Sequence, residues 1–215
     1  MRILDLLNQS PILAVVFLLS IILAITVHEF AHAWTADRLG DDTPASQGRV
    51  TLNPFAHLDP LGSILFLFTG FGWGKPVMYD PRNLNGKADE LKVALAGPAS
   101  NLILALFLKA LVLAQLLVGV TLINPIFLGV AITINLYLAA FNMIPIPPLD
   151  GSSVISYFWP EYRTLVSGQA SFIILIALVF LPVGNTTLLS LLVTPILTGF
   201  DILTSLFGIL PLLLS

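Results

Sequence analysis

A chain of 215 residues that is 57% hydrophobic and only 10% charged, with a mean hydropathy of +0.96, carries more apolar surface than a soluble domain of its size can bury. Nine Lys and Arg against twelve Asp and Glu give a net charge of −3 with no basic patch, which argues against nucleic acid as a partner. With no cysteine there is no disulfide, iron–sulfur cluster or thiolate ligand, so a bound metal must be held by imidazole and carboxylate. Composition therefore predicts an all-α polytopic membrane protein, one membrane-embedded domain over residues 1–215 that is surrounded by the lipid bilayer.

Met1 to Ser10 is a short, mildly amphipathic lead. From Pro11, a natural first-turn residue, an apolar run continues to Trp34, about 36 Å of helix and enough to cross a ~30 Å hydrocarbon core. It is too long for a signal-peptide core and lacks a small-residue cleavage site, so it is expected to be retained. Near its end stands His28-Glu29-Phe30-Ala31-His32. Helical spacing stacks His28 and His32 on one face one turn apart, where two imidazoles can grip one metal ion. Glu29 lies beside them, placed to take a proton from an attacking water. An ionised group at a helix centre costs roughly 2.5–3.5 kcal/mol, so polar residues in such a run are functional by default. On a straight helix the two histidines lie roughly 15 and 9 Å short of Arg38, below the membrane surface.

Gly40 closes this helix, and Asp41-Asp42-Thr43-Pro44 reads as interfacial loop. Between Gly48 and Gly62, Asn53-Pro54 and Asp59-Pro60 force an extended, turn-rich path that carries His57, the third and last histidine. With a candidate ligand pair so close in sequence, His57 is expected to serve the site, and Asp59 to fix its turn. Leu61 to Phe71 is apolar but too short to span, so it is read as a re-entrant or interfacial segment. Gly70 to Tyr79, rich in glycine and aromatics, suggests a short β-hairpin near the active site, whose edge could pair with an extended substrate.

Asp80 to Lys92 is polar, and Val93 to Val120 is the second full span. Gly97-Pro98 lets another helix approach closely, Asn101 is expected to pack across helices, and Lys109 to snorkel. The third span starts at Asn124-Pro125 and ends near Phe141, before Asn142-Met-Ile-Pro-Ile-Pro-Pro-Leu-Asp150-Gly151. Its prolines cannot be helical; they unwind the backbone and fix Asp150, with Ser152 and Ser153 as candidate caps of a new helix. Trp159 to Arg163 is an interfacial break. Apolar runs at Ser171–Val183 and Thr187–Leu214 complete about five spanning helices, with Asp201 expected to cap a break or pair within the bundle. The catalytic core is placed at about 11–158 and accessory C-terminal helices at about 167–215.

A catalytic zinc ion usually takes three protein ligands, and the residues alone offer Asp150, His57 and Asp59 as the third. His57 is the better ligand by type; Asp150 has the pre-organised backbone and a depth like that of the histidines. Taken in order, His28-Glu29-Phe-Ala-His32, Asn53-Pro-Phe-Ala-His57-Leu-Asp59-Pro, Gly97-Pro-Ala-Ser-Asn101 and Asn142-Met-Ile-Pro-Ile-Pro-Pro-Leu-Asp150-Gly151 resemble the motifs of site-2 protease family intramembrane metalloproteases. The resemblance covers roughly Pro11 to Phe158. It implies one zinc ion per chain held by His28, His32 and Asp150, Glu29 as the catalytic base, and Asn142 with His57 assisting the oxyanion or orienting substrate. It also implies cleavage of single-span membrane proteins within or near their membrane segments. The chain departs from many relatives in that no loop is long enough for a PDZ domain, so a compact member without one is expected.

Arg38, Arg49, Lys75, Arg82, Lys87 and Lys92 all fall between the first two full spans, which makes that face cytoplasmic and puts the amino terminus outside. A multi-pass protein of a prokaryotic cell membrane, with its active site toward the cytoplasm, is expected. The rival reading is a membrane metal-ion transporter using the same His and Asp residues. A single cluster, a Glu suited to be a base and the lack of an inverted repeat disfavour it.

Overall fold

The computed structural model describes residues 3–165, 169–184 and 186–213. A short helix α1 (Ile3–Gln9) leads into α2 (Pro11–Arg38), with Ser10 as N-cap, and a one-turn α3 (Thr43–Ser46) follows. After a 3₁₀ turn at Pro54–Ala56 comes α4 (Pro60–Thr69). The long α5 (Asp89–Val118) and α6 (Pro125–Asn142) precede α7 (Asp150–Phe158) and α8 (Tyr162–Leu165). The chain then forms α9 (Gln169–Phe180), β1 (Pro182–Val183), β2 (Thr186–Thr187) and α10 (Leu188–Leu213).

Helices α2, α5 and α6 pack against one another as the central three-helix unit. Their fully buried positions are mostly small: Ala24, Ala33 and Ala36 on α2, Ala105 on α5, Ala139 and Ala140 on α6. Small residues let backbones approach in a medium where water cannot drive helices together. The large side chains point the other way, with Ile12, Leu19, Ile103, Phe107, Leu116 and Ile126 on the outside of the bundle. That inversion marks a protein solvated by lipid.

Among the described residues four helices are long and apolar enough to cross a membrane: α2, α5, α6 and Leu188–Ser205 of α10. The sequence suggested about five. The fifth apolar run falls on α9, whose described part, Gln169–Phe180, begins directly after residues that the structure does not describe. It stays beside the start of α10, where Leu175, Leu189 and Val193 form a core with Ala140, Ile144 and Leu149. The ten-residue α4 is too short to cross, as the reading of Leu61 to Phe71 expected.

The only sheet among the described residues is the antiparallel pair β1–β2. The hairpin expected at Gly70–Tyr79 is instead a single extended segment, bridged to Leu58 at Gly74 and donating from Lys75 N to His57 O at 2.7 Å. Pro76 has no N–H, and no second strand lies within the segment to pair with it.

Lys109 does not snorkel. Its ammonium donates to Asp201 Oδ1 at 2.6 Å, Thr204 Oγ1 at 2.8 Å and Ser205 Oγ at 3.0 Å, tying α5 to α10. Asp201 thus pairs within the bundle, as one of its two expected roles requires.

Candidate metal centre

The unwound stretch between α6 and α7 brings Asp150 back to α2. Turns close from Leu149 N to Ile146 O at 2.9 Å, and the Tyr162 hydroxyl donates to the Pro145 carbonyl from α8. Gly151 is required by the fold: a Cβ there would lie 2.6 Å from the Ile144 carbonyl oxygen. Ser152 does not cap α7 through an N–H; its hydroxyl donates back to Leu149 O at 2.7 Å.

Three donor atoms converge. His28 Nε2 lies 3.1 Å from His32 Nε2, and Asp150 Oδ2 lies 3.2 Å from the first and 3.3 Å from the second. The other ring nitrogens face oxygens, His28 Nδ1 against Asn101 Oδ1 and His32 Nδ1 against Val93 O, both at 2.7 Å. Those oxygens can only accept, so each Nδ1 carries the proton and each Nε2 presents a lone pair. Asp150 Oδ2 is buried and receives no hydrogen bond. Three electron-rich atoms this close, with no hydrogen among them, form the arrangement that a cation closes. Tetrahedral zinc with bonds of about 2.0–2.2 Å requires ligand atoms about 3.3–3.6 Å apart, and the observed spacings fit with a small contraction. Outer partners on both imidazoles are the usual support of such ligands.

α5 forms the wall behind this group. A Cβ at Gly97 would lie 2.6 Å from His28 Nε2 and overlap His32 Nε2, so only glycine lets α5 pass. Asn101 packs across helices as expected, donating to Ala24 O on α2 and Asn135 on α6, and its oxygen also accepts from His28 Nδ1.

Glu29, His28, His32 and Asp150 line a common cavity of about 190 Å³ with Asn142, Tyr79, Val77 and Ser153. Glu29 Oε2 accepts the Val77 N–H at 3.0 Å and lies 3.9 Å from Arg49 Nη2. Arg49, read from sequence only as a loop charge, is buried and also donates to the Lys75 carbonyl. Asn142 reaches the cavity while its amide donates to Leu138 O at 3.0 Å.

The structure does not bring His57 into the cavity. Its ring is 0% exposed, Nε2 donates to Thr51 O at 2.8 Å, and Nδ1 has no partner. Burial, aided by the neighbouring Arg49 charge and opposed by the Thr51 carbonyl, holds its pKa below the ordinary histidine value. Asp59 caps α4 through Gly62 N at 2.7 Å, as its turn role requires. Asp41, inconspicuous in the sequence, pins the loop over the site. Burial alone would raise its pKa, but hydrogen bonds from Asn83, Thr43 and the Asp80 N–H hold it below the ordinary carboxylate value.

Two imidazoles and a carboxylate closing on one point, with a second carboxylate in the same cavity and three of the four on a helix long and apolar enough to cross a membrane, define a membrane metallohydrolase centre. The sequence pattern of peptidase family M50 matches residues 119–184, the stretch that holds Asn142 and Asp150. A protein of Bacillus subtilis named "Putative zinc metalloprotease YwhC" is 39% identical over 180 residues, covering 79% of this chain and 82% of that one. Rip2 of Mycobacterium tuberculosis, described in the same words, is 34% identical over 188 residues, 83% of this chain and 67% of its own. A relative from Methanocaldococcus jannaschii is 30% identical over 155 residues, 70% of this chain and 74% of its own. No solved structure matches at comparable significance. The chain belongs to peptidase family M50, the site-2 protease family of zinc metalloproteases.

Proposed function

We propose that this metalloprotease hydrolyses peptide bonds within or near the membrane-spanning segments of single-span proteins, on the cytoplasmic side of a prokaryotic cell membrane. The observation that carries the reading is the position of the donor group: His28, His32 and Glu29 lie on a helix long and apolar enough to cross a bilayer. A second feature supports it. An apolar cavity of about 830 Å³ between α2, α4 and α6 is lined by Ile25 and Phe141, which are close in sequence to Glu29 and Asn142 of the polar cavity. An apolar segment held in the first would enter the second only where it unwinds.

His28, His32 and Asp150 hold the zinc ion. Bound there, zinc supplies Lewis acidity for the scissile carbonyl and eases deprotonation of water. Glu29 takes the proton of the attacking water and hands it to the leaving amine. The Val77 N–H fixes Oε2 of Glu29, so one oxygen of the carboxylate is held by the 75–77 segment. Asn142 uses one amide hydrogen on Leu138 O, and its second is offered to the developing oxyanion. His57 acts at one remove, since its carbonyl anchors Lys75 two residues before Val77.

The test is to incubate purified protein in detergent with a panel of tagged single-span membrane proteins, with and without a zinc chelator. Fragments that disappear with chelator and return with added zinc are expected. Zinc-dependent loading of proteoliposomes without any cleavage would favour the transporter, which the single His–His–Asp group among the described residues disfavours.

A further inference from the structure

Helix α6 carries a buried amide, Asn135, that no motif includes and that touches neither cavity. It is 0% exposed, as is Asn101 on α5. Asn101 Nδ2 has two hydrogens, and both are used: one goes to Ala24 O on α2 at 3.0 Å, the other to Asn135 Oδ1 at 2.9 Å. Asn135 is itself oriented, because its Nδ2 donates to Ala131 O at 2.9 Å. Its oxygen must therefore face Asn101, the Asn101 nitrogen must face Asn135, and the Asn101 oxygen must face His28 Nδ1, 2.7 Å away.

We propose that Asn135 is a positioning residue for the metal centre, acting through Asn101 to hold His28 in the tautomer and orientation that present Nε2 as a ligand. This rests on the reading of His28, His32 and Asp150 as the zinc ligands. The two histidines are set by different means. His32 Nδ1 faces a backbone carbonyl, Val93 O, which cannot be turned around. His28 Nδ1 faces a side-chain amide, whose oxygen and nitrogen exchange places by a half-turn. With its nitrogen toward His28, Asn101 would donate, Nδ1 would accept, and the imidazole proton would move to Nε2, the atom the metal needs. Ala24 O alone is one anchor on a rotatable amide; Asn135 is the second. In a membrane interior no water offers a substitute partner. The relay also joins all three central helices at the level of His28, so one side chain on α6 controls a ligand on α2.

Asn135→Ser tests this with little disturbance of the fold. A serine at this position can return its hydroxyl to the carbonyl four residues earlier, as Ser20 does to Val16 O and Ser156 to Ser152 O, both at 2.7 Å. It cannot reach Asn101. Zinc affinity of the purified protein is measured by chelator competition, beside the melting temperature of the zinc-free form. Tenfold or greater loss of affinity is expected for Asn135→Ser, the size usual for partners of metal-bound histidines. The loss should be absent when the same change is made on an Asn101→Ala background, where the relay is already cut. Asn135→Asp, which keeps an acceptor toward Asn101, should recover most of the affinity.

Unchanged affinity in Asn135→Ser, with His28→Ala having lost zinc, overturns the inference and leaves the ligand reading standing. An equal loss in both backgrounds overturns it as well, since the effect would then bypass Asn101. Zinc retained by His28→Ala overturns the ligand reading and this inference with it.

Discussion

The Val77 backbone N–H and Glu29 Oε2 lie 3.0 Å apart, joining a surface segment to the C-terminal half of the protein's first long helix across 48 residues of sequence. One oxygen of the carboxylate is thereby committed to the 75–77 segment, whose Lys75 carbonyl is held by Arg49. Glu29→Gln keeps an oxygen to accept that N–H but cannot take a proton from water. Cleavage should fall by about 10²–10⁴-fold, the usual worth of a general base, with zinc content unchanged. Peptide-bond turnover and metal analysis of the same preparation check this; full activity in the glutamine variant would remove Glu29 from the base role.

Asp150 and His57 were rivals for the third ligand in the sequence, and the geometry separates them. Asp150 Oδ2 stands within 3.3 Å of both histidine nitrogens, whereas His57 turns its ring toward Thr51. Asp150→Ala should lose stoichiometric zinc, and His57→Ala should keep it while turnover slows. Zinc retained in the first and lost in the second, by metal analysis of both proteins, would reverse the assignment.

The metal centre was legible in the sequence because metal ligation and helix geometry restrict it together. Two histidines at i and i+4 in an apolar run mark themselves, whereas the third ligand stayed open among Asp150, His57 and Asp59 until proline pre-organisation and the family resemblance favoured Asp150. Asn101 was seen but given packing work, since sequence cannot say which helix faces an amide. Asn135 carried one available signal, an amide inside an apolar span, but nothing marks a residue that acts through another. Arg49 was read as a charge of the loop, and its burial arises from contacts with Lys75 and Glu29, 26 and 20 residues distant. The hairpin failed for a local reason: glycine and aromatic content suggests extended backbone but not a partner for it.

Lys109 and Asp201 make a second test of how charges survive in this bundle. The pair sits 2.6 Å apart on helices that both qualify as spans. Asp201→Leu leaves the ammonium with only hydroxyl and carbonyl partners, so a destabilisation approaching about 2.5–3.5 kcal/mol is expected. Replacing both residues by leucine should restore most of it, because two apolar side chains need no partner there. Thermal unfolding of the detergent-solubilised variants decides between this and an inert pair, for which all three proteins would melt together.

The proposed orientation can be read with thiol labelling in a chain that has no cysteine of its own. Arg49, one of the six cations that suggest a cytoplasmic loop, is buried and a poor reporter, but Arg82 and Lys87 are exposed. At the other end of α5, 30 residues and about 45 Å away, Thr121 is exposed before α6 begins. Arg82→Cys and Lys87→Cys should resist an impermeant thiol reagent in intact cells and label after lysis. Thr121→Cys should label before lysis. The reverse pattern would place the His28–His32–Asp150 end of the bundle outside the cell, since Gly97, eight residues after α5 begins, lies against both histidines. Cleavage would then have to occur on the outer face, and the excess of Lys and Arg in the 38–92 segment would need a cause other than membrane orientation.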